Sequence, residues 1–392
     1  MHPLFMEVIF AVFVLVYCLL IVRFHYYWLQ IPVFQLRPNE LSKQTPRVSV
    51  IIPVRNEARH IVSLLQDLEQ QWLGAQKVFP KNYWEVIVVD DASEDETAAL
   101  VQNFMHQTEL AIALISSDVR VSNRSPKKQA IWQGIQSSQS EYIITTDGDC
   151  RVGPYWLLTW LQFLQQNRPA LAAGGVTYHR EKSWFERLQT IEFASLIGMS
   201  ASSIQAQQPI TCNGANLAFS REAFQKVGGY QEHWHVPSGD DEFLLHAVFH
   251  QFPKEVLFLK NPEAVVKTYA KRTIASFVQQ RKRWAGKWKM HRESQVVLLS
   301  LLVFVFHLCF LSSLIYFAAW VKLDYWLVGL LILKIGVEWA FLKSVLRFLK
   351  KERGLINLLP LQLLYSAYFV IIGLVASGGS YTWKDRKHHQ HD

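Results

Sequence analysis

Asp147 and Asp149 are two carboxylates separated by a single glycine, and their type and spacing suit metal-ion chemistry. Carboxylate oxygens are hard ligands that suit Mg²⁺ or Mn²⁺, and a pair at this spacing leaves coordination positions open for phosphate oxygens and water. The pair directly follows Tyr142-Ile143-Ile144-Thr145-Thr146, a run typical of a buried strand. We therefore predict a divalent metal site at a strand end.

Polar and acidic residues also follow two other predicted strands. Residues 53–57 (Pro-Val-Arg-Asn-Glu) come after the strand predicted at 48–52, and Asp90-Asp91 after the strand predicted at 85–89. Further elements are predicted in the order helix 57–71, helix 94–107, strand 111–115 and helix 128–137. Strands that alternate with helices in this way indicate an α/β fold with a mostly parallel sheet. Such sheets bind ligands at the carboxyl ends of their strands, where these residues fall.

Helix capping is the alternative explanation for the acids near Ser93. Ser93 with Glu96 has the pattern of a capping pair, and we expect it to cap the second helix. A cap needs only one such residue, however, and does not explain acids at several strand ends, so we favour a binding site. The chain contains neither G-x-G-x-x-G nor G-x-x-x-x-G-K-[ST], which disfavours a dinucleotide oxidoreductase or a P-loop NTPase.

A basic and aromatic segment, residues 273–290, has the pattern of a helix in the lipid headgroup region. Within it Gln280, Arg283 and Trp284 are three and four residues apart, so a helix places them on one face. We expect Trp288 to lie at the lipid interface. A second segment, which begins at Trp184, fits either an interfacial helix or a core helix.

The composition indicates a soluble domain attached to membrane spans, because 50% of the 392 residues are hydrophobic while 18% are charged. Apolar runs long enough to cross a bilayer lie at Phe5–Leu29, Val296–Trp320, Tyr325–Leu346 and Leu355–Val375. The first run is predicted to be a retained anchor, since no Lys or Arg precedes it, it is too long for the apolar part of a signal peptide, and no small-x-small cleavage site follows it. The four cysteines have no paired spacing, so neither a disulfide framework nor a zinc site is predicted.

Basic residues next to the spans predict the orientation. They follow the first run and precede the second, which places the intervening domain in the cytoplasm. Four crossings would put the basic C-terminal tail outside, so either the segment around Pro360 is re-entrant or interfacial, or the tail departs from the rule. The net charge of +8 fits contact with anionic lipid better than with nucleic acid, because the excess lies beside the spans.

In their order, these motifs resemble the membrane-bound family 2 glycosyltransferases with a D, D, D, Q-x-x-R-W signature. That family contains cellulose synthase, hyaluronan synthase, poly-N-acetylglucosamine synthase and ceramide glucosyltransferase. The likeness covers about residues 48–284. It implies a GT-A nucleotide-sugar-binding domain at 47–270, an interfacial helix at 271–292, transmembrane helices at 1–30 and 294–378, and a basic tail at 379–392.

The resemblance also implies roles for individual residues. Asp241 matches the general base; many relatives have Glu at the position of Asp240. The implied metal ligands are Asp147 and Asp149, and the implied donor-binding residues are Pro53, Arg55, Glu57, Asp90, Asp91, Lys127, Asp147 and Arg283. The implied acceptor-binding residues are Asn213, Gly214, Asp240, Gln280 and Trp284. Lys128 could replace Lys127 in the family's basic position.

The implied activity is inverting, metal-dependent transfer of a sugar from a nucleotide-diphosphate donor, a UDP-sugar, to a lipid or glycan acceptor at the cytoplasmic face of the bilayer. Few spans favour a single transfer to a lipid or lipid-linked acceptor, and processive synthesis of an extracellular polysaccharide is the alternative. A membrane acyl- or phosphotransferase is the alternative from another enzyme class. The D-G-x-x-A-R pattern of the phosphotransferases does not occur, and the H-x-x-x-x-D match at residues 235–240 ends in Asp240, which the family resemblance already explains. A non-catalytic membrane scaffold would be expected to lose at least one motif residue, and all are present.

Overall fold

The computed structural model describes residues 3–38, 40–42, 44–73, 83–117, 124–286, 293–320, 325–376, 381–383 and 386–388. Two compact units are present. The sheet unit comprises Ile31–Glu181 and Ile204–Ala270, and the helical unit comprises Met1–Gln30, Lys182–Ser203 and Lys271–Asp392.

A seven-stranded sheet forms the centre of the sheet unit, with strand order β3-β2-β1-β4-β7-β5-β8. Its strands are β1 (Val48–Val54), β2 (Trp84–Asp90), β3 (Ile112–Ser116), β4 (Tyr142–Thr145), β5 (Leu171–Gly174), β7 (Leu217–Ser220) and β8 (Val256–Leu259). Strands β1 to β4 pair in parallel, as do β5 and β8, whereas β7 runs antiparallel to both of its neighbours. A separate parallel pair joins β6 (Val176–Tyr178) to β9 (Val266–Thr268). The predicted mostly parallel α/β sheet is confirmed.

The helices of the sheet unit are α2 (Ile61–Glu69), α3 (Thr97–Gln107), α4 (Pro126–Ser137), α5 (Trp156–Asn167), α7 (Arg221–Lys226) and α8 (Glu242–Gln251). The prediction that Ser93 caps α3 is wrong, because the N-cap is Glu96, which makes no side-chain cap bond. The Ser93 hydroxyl instead accepts a hydrogen bond from the Asn56 amide at 3.0 Å. The Ser93 hydroxyl, which was expected to cap α3, therefore holds the loop after β1 instead. Separately, α2 begins at Ile61, four residues later than predicted.

A buried asparagine fixes the loop before β7. Asn216 Oδ1 accepts hydrogen bonds from the indoles of Trp156 and Trp160 at 3.2 and 3.0 Å. Its Nδ2 donates to the carbonyls of Gly175 and Ala264, both at 2.8 Å. All four bonds are made by a side chain with 0% exposure, so the loop leading into β7 is held rigidly against α5.

The helical unit contains α1 (Pro3–Gln30), most of α6 (Trp184–Gln205), α9 (Ile274–Ala285), α10 (Ser294–Trp320), α11 (Tyr325–Phe348) and α12 (Leu358–Ala376). Among the described residues, three helical stretches are long and apolar enough to cross a membrane: Glu7–Gln30, Val296–Tyr316 and Tyr325–Phe348. The fourth predicted span consists of two pieces, Glu352–Gln362 and Leu364–Leu374, which meet at 74°. The described residues thus provide three candidate spans, or four if the bent pair crosses.

Two predictions about helices at the membrane surface have different outcomes. Trp184 is 46% exposed, but Leu188 and Ile191 on the same helix are buried, so α6 beyond its first turn fits the core interpretation. Trp288 lies outside the described residues, as do Lys384 and Asp385 of the tail. The described tail residues form a hairpin of β10 (Tyr381–Trp383) and β11 (Arg386–His388).

Candidate active site

The loops after β1 and β2 are joined by Arg55, whose side chain is buried. Its Nη1 donates to the carbonyls of Asp91 and Ala92 at 2.8 and 2.5 Å, and its Nη2 pairs with Glu94 at 2.7 Å. Asn56 and Ala92, one in each loop, both have positive φ, 52° and 50°, a backbone conformation that is uncommon for residues other than glycine. These contacts give Arg55 a structural task in addition to the donor-binding role predicted for it.

Asp90 presents a buried carboxylate oxygen at this edge of the sheet. Its Oδ2 accepts a hydrogen bond from the Ser93 amide at 3.3 Å, whereas Oδ1 is buried and accepts none from the described residues. A buried acceptor of this kind is usually completed by water or a ligand donor. Asp91 and Glu57 are also buried, at 4% and 8% exposure. Pro53, by contrast, lies within β1, paired with Val89, and not in the loop.

Lys127 connects two groups of predicted site residues. Its Nζ lies 2.9 Å from Asp147 Oδ1 and 3.2 Å from Asp240 Oδ2. Burial lowers the pKa of the Lys127 ammonium, but the carboxylates of Asp147, Asp240 and Asp241 raise it by more, so the net pKa lies above its ordinary value. The structure therefore places the Lys127 ammonium between the predicted metal ligand Asp147 and Asp240, the neighbour of the predicted base.

Lys128, the alternative to Lys127, faces a different environment. Its Nζ donates to the carbonyls of His233 and Val236 at 2.7 and 2.9 Å, and its side chain is fully buried. It lies over the ring of Phe243 at 5.1 Å. Lys128 thus fixes the loop that leads to Asp240, while Lys127 faces the carboxylates.

Asp241 is oriented by two backbone amides. It caps α8, with Oδ1 accepting from the Glu242 amide at 2.8 Å, and its Oδ2 accepts from the Gly214 amide at 2.9 Å. The carbonyl of Gly214 accepts from the Thr145 hydroxyl at 2.7 Å, which connects this loop to the end of β4. A Cβ at Gly214 would lie 3.1 Å from Asp240 Oδ2, so glycine permits the close approach of the loops. Asn213, the remaining predicted residue here, uses its side chain to accept from the Ala215 amide at 3.0 Å.

The donor set at Asp147 and Asp149 fits a hard divalent cation. Both carboxylates are partly exposed, Asp147 with 37% of its side chain, and they project from a loop at the carboxyl edge of the sheet. In the part of the chain that the structure describes, no three or more His, Cys, Asp or Glu residues are grouped so that they could hold a metal ion by themselves. Diphosphate oxygens and water would have to complete the coordination. Burial, followed by the nearby Asp149 and Asp147 charges, raises the pKa of the adjacent Cys150 thiol, which fits a packing role.

The Q-x-x-R-W residues lie on α9 in the helical unit. Gln280, Arg283 and Trp284 are each half-buried. The residue between them, Arg281, is 3% exposed and pairs with Glu192 of α6, a contact that the sequence analysis missed. An acid inside the apolar segment 184–205 was the available signal, because a buried charge needs a partner.

Two family models match the chain. The model described as "Glycosyl transferase family 2" matches residues 49–228, and the model described as "Glycosyl transferase family group 2" matches residues 142–342, just over half of the chain. The chain belongs to glycosyl transferase family group 2. The predicted family and enzyme class are therefore confirmed.

Relatives of this glycosyltransferase include the poly-beta-1,6-N-acetyl-D-glucosamine synthase of Staphylococcus epidermidis. It is 25% identical over 247 residues, which are 62% of this chain and 55% of the relative. The synthase of the same name from Staphylococcus aureus strain COL is 24% identical over 205 residues, 51% of this chain and 46% of the relative. The chain thus matches about half the length of each synthase.

A solved structure resembles nearly the whole glycosyltransferase. The mannosyltransferase PcManGT from Pyrobaculum calidifontis, in complex with GDP-Man and Mn²⁺, aligns with a TM-score of 0.58 at 19% identity. The alignment covers 92% of this chain and 97% of the mannosyltransferase. The likeness confirms the expected GT-A glycosyltransferase fold.

Proposed function

We propose that this glycosyltransferase moves a sugar from a nucleotide-diphosphate donor to an acceptor hydroxyl, in one displacement that inverts the anomeric carbon. The observation that supports it best is the Lys127 bridge, which connects Asp147 on the donor side with Asp240 on the base side at 2.9 and 3.2 Å. Asp241 lies next in the chain and is already oriented by two amides. The proposed metal ligand Asp147 and the proposed base Asp241 thus lie in neighbouring loops that Lys127 connects.

The proposed chemistry balances without a covalent intermediate. Asp241 accepts the proton of the acceptor hydroxyl while that oxygen bonds to the anomeric carbon and the bond to the diphosphate breaks. Negative charge then develops on the departing phosphate oxygens, where Lys127 would stabilise it. The family resemblance implies the same role for Arg283. Gln280 and Trp284 keep the acceptor-binding role that the family resemblance implies.

Asp147 and Asp149 are the residues proposed to hold Mg²⁺ or Mn²⁺. The bound cation would supply charge neutralisation at the diphosphate. The PcManGT structure, which contains Mn²⁺ with GDP-Man, supports a divalent ion in this fold. Asp90, with its buried Oδ1, and Asp91 are proposed to bind the nucleoside, which the family resemblance makes uridine.

Two acceptors are candidates, each favoured by one observation. Three candidate spans, or four if the bent pair crosses, fit a single transfer to a lipid or lipid-linked acceptor at the cytoplasmic face. The names of the staphylococcal relatives favour elongation of a polysaccharide and make UDP-N-acetylglucosamine the first donor to test.

The test is nucleotide release by the purified protein in lipid nanodiscs. UDP-N-acetylglucosamine, UDP-glucose and GDP-mannose would each be supplied with Mn²⁺, with and without a membrane lipid extract, and the products sized. Release that depends on lipid and gives one added sugar supports the lipid acceptor, whereas a long product supports polysaccharide synthesis. Failure of every donor, in protein that remains folded, would contradict the proposal.

A further inference from the structure

A buried ion pair joins α6 to α9 in the helical unit. Arg281 Nε donates to Glu192 Oε1 at 2.9 Å, and Arg281 Nη2 donates to Glu192 Oε2 at 2.5 Å. The side chains are only 4% and 7% exposed. Removing two charges from water is costly, and apolar residues of similar volume would often hold two helices together at least as well. Helix packing alone therefore does not account for this pair.

Arg281 contacts two of the three Q-x-x-R-W residues. Its Nη1 donates to Gln280 Oε1 at 2.7 Å. Its guanidinium carbon lies 4.3 Å from the centre of the Trp284 ring, within cation–π distance. Trp284 also stacks with Phe193 of α6, with ring centres 6.0 Å apart and planes inclined by 24°. Gln280 and Trp284 are therefore both held from one side by a residue that the motif leaves unspecified.

Glu192 has a second partner, on α12. The Tyr368 hydroxyl donates to Glu192 Oε1 at 2.8 Å. Tyr368 also packs against Phe277 of α9, with ring centres 5.3 Å apart, and Arg281 lies 4.4 Å from the centre of that same ring. One carboxylate thus fixes α9 relative to both α6 and α12.

We propose that Glu192 and Arg281 are positioning residues, which hold Gln280 and Trp284 in the orientation needed to bind the acceptor. This inference rests on the proposed function, because the acceptor role of those two residues is part of it. Only a planar guanidinium can bind the carboxylate with two parallel bonds and also lie against an indole. Lysine at position 281 would keep the charge but could make only part of this arrangement.

The kinetic test compares Arg281→Lys with Lys282→Gln, its basic neighbour on the same helix. UDP-N-acetylglucosamine is the donor, and a short β-1,6-linked N-acetylglucosamine oligomer or the active lipid extract is the acceptor. Arg281→Lys is expected to raise the KM for acceptor or lower kcat by about 10–100-fold, because small displacements of substrate-positioning groups have effects of this size. Its affinity for UDP with Mn²⁺ should fall far less than acceptor turnover, since all the proposed donor-binding residues except Arg283 belong to the sheet unit. Lys282→Gln should change neither.

A double-mutant cycle tests whether Glu192 and Arg281 act through their interaction with each other. Glu192→Gln, Arg281→Gln and the double variant should lose acceptor turnover to a similar extent, because the second change removes an interaction that the first has already lost. Tyr368→Phe keeps the ring packing and removes one hydrogen bond, so it should cause a smaller loss of the same kind. Losses that multiply across the cycle would overturn the proposal.

Hydrogen exchange of the peptide 274–285 provides a readout that needs no turnover. Glu192→Gln should speed exchange in α9 while peptides from β1 and β2 keep their wild-type rates. If no donor supports transfer by the wild type, the proposed function fails. The hydrogen-exchange rate of the peptide 274–285 then still tests whether Glu192 holds α9 in place. Unchanged exchange, or equal losses of UDP affinity and acceptor turnover in Arg281→Lys, would overturn the positioning role.

Discussion

Asp240 and Asp241 are neighbours in sequence with different partners. Asp240 pairs with the Lys127 ammonium, whereas Asp241 is aimed by the amides of Gly214 and Glu242. Asp241→Asn keeps the shape but removes the proton acceptor, so kcat is expected to fall by about 10²–10⁴-fold, the usual range for general acid–base catalysis. Affinity for UDP should survive.

Asp240→Asn is the matched control for that change. Its side chain can still hydrogen-bond with Lys127, so a much smaller loss of kcat is expected. The measurement is kcat and UDP affinity for both variants at one pH. Normal turnover in Asp241→Asn together with loss in Asp240→Asn would shift the base by one residue.

Asp149 offers a test of the metal site that does not disturb the Lys127 bridge, since Lys127 pairs with Asp147. Asp149→Ala should abolish transfer and weaken Mn²⁺ binding in the presence of UDP, because the partly exposed carboxylate is a proposed ligand. Mn²⁺ affinity can be measured by electron paramagnetic resonance. Full activity in excess chelator would exclude the metal from the reaction.

Lys127 and Lys128 should fail in different ways when each is replaced by methionine. Lys127→Met removes a charge that faces Asp147 and Asp240, so UDP affinity and kcat should both fall. Lys128→Met leaves the His233 and Val236 carbonyls without their donor, which should lower the free energy of unfolding by about 1–3 kcal/mol. Denaturation curves and UDP titrations of both variants separate the two roles. Equal changes in stability and UDP affinity in the two variants would contradict this assignment.

The strands that end at the candidate site could be predicted from sequence. The apolar runs of β1, β2 and β4 are bounded by polar residues, and each lies within two residues of its predicted position. The antiparallel β7 could not be placed, because its four residues are too few to show periodicity. The start of α2 was missed for a different reason: Asn56 and Glu57 bond to Ser93 and Thr97, partners about 40 positions away.

Some residues of the candidate site could also be predicted from local sequence, whereas others depend on distant partners. Acids at strand ends were visible from local pattern, and the structure brings Asp147, Asp240 and Asp241 together around Lys127. Arg281 looked like one more basic residue of a surface helix. Its partner Glu192 lies 89 positions earlier, and spacing rules reach only about one helical turn.

Gly148 lies between the two proposed metal ligands and packs closely against the end of the first strand. A Cβ added there would lie 2.8 Å from Val54 Cγ1 and 3.1 Å from Glu57 Cγ, so neither side chain has room to remain in place. Gly148→Ala should therefore destabilise the sheet unit by about 1–3 kcal/mol, the usual cost of overpacking, and weaken UDP binding. Gly153→Ala is the control, because its nearest contact would be an ordinary 3.7 Å. Equal stability of the two variants would contradict this account.

The length and packing of the C-terminal segment favour one number of membrane crossings. The two pieces of the bent segment are each about 16 Å long, roughly half the hydrocarbon thickness of about 30 Å, so neither crosses alone. The hairpin strand β10, which follows the bend, packs beside α9. Because α10 leads away from α9 and α11 returns, the link between α11 and α12 lies on the α9 side.

A tail that packs on α9 must also lie on that side, so we predict that the bent segment is re-entrant and that the protein crosses the bilayer three times. The basic residues of the α11–α12 link and of the tail then both face the cytoplasm, in agreement with the positive-inside rule. The measurement is labelling of introduced cysteines by a membrane-impermeant maleimide in intact and permeabilised cells, with the four native cysteines replaced by serine. Arg353→Cys and Arg386→Cys should both label only after permeabilisation, whereas His2→Cys should label in intact cells. Labelling of Arg386→Cys from outside, with Arg353→Cys still protected, would show that the bent pair spans the membrane and that the tail hairpin cannot lie beside α9.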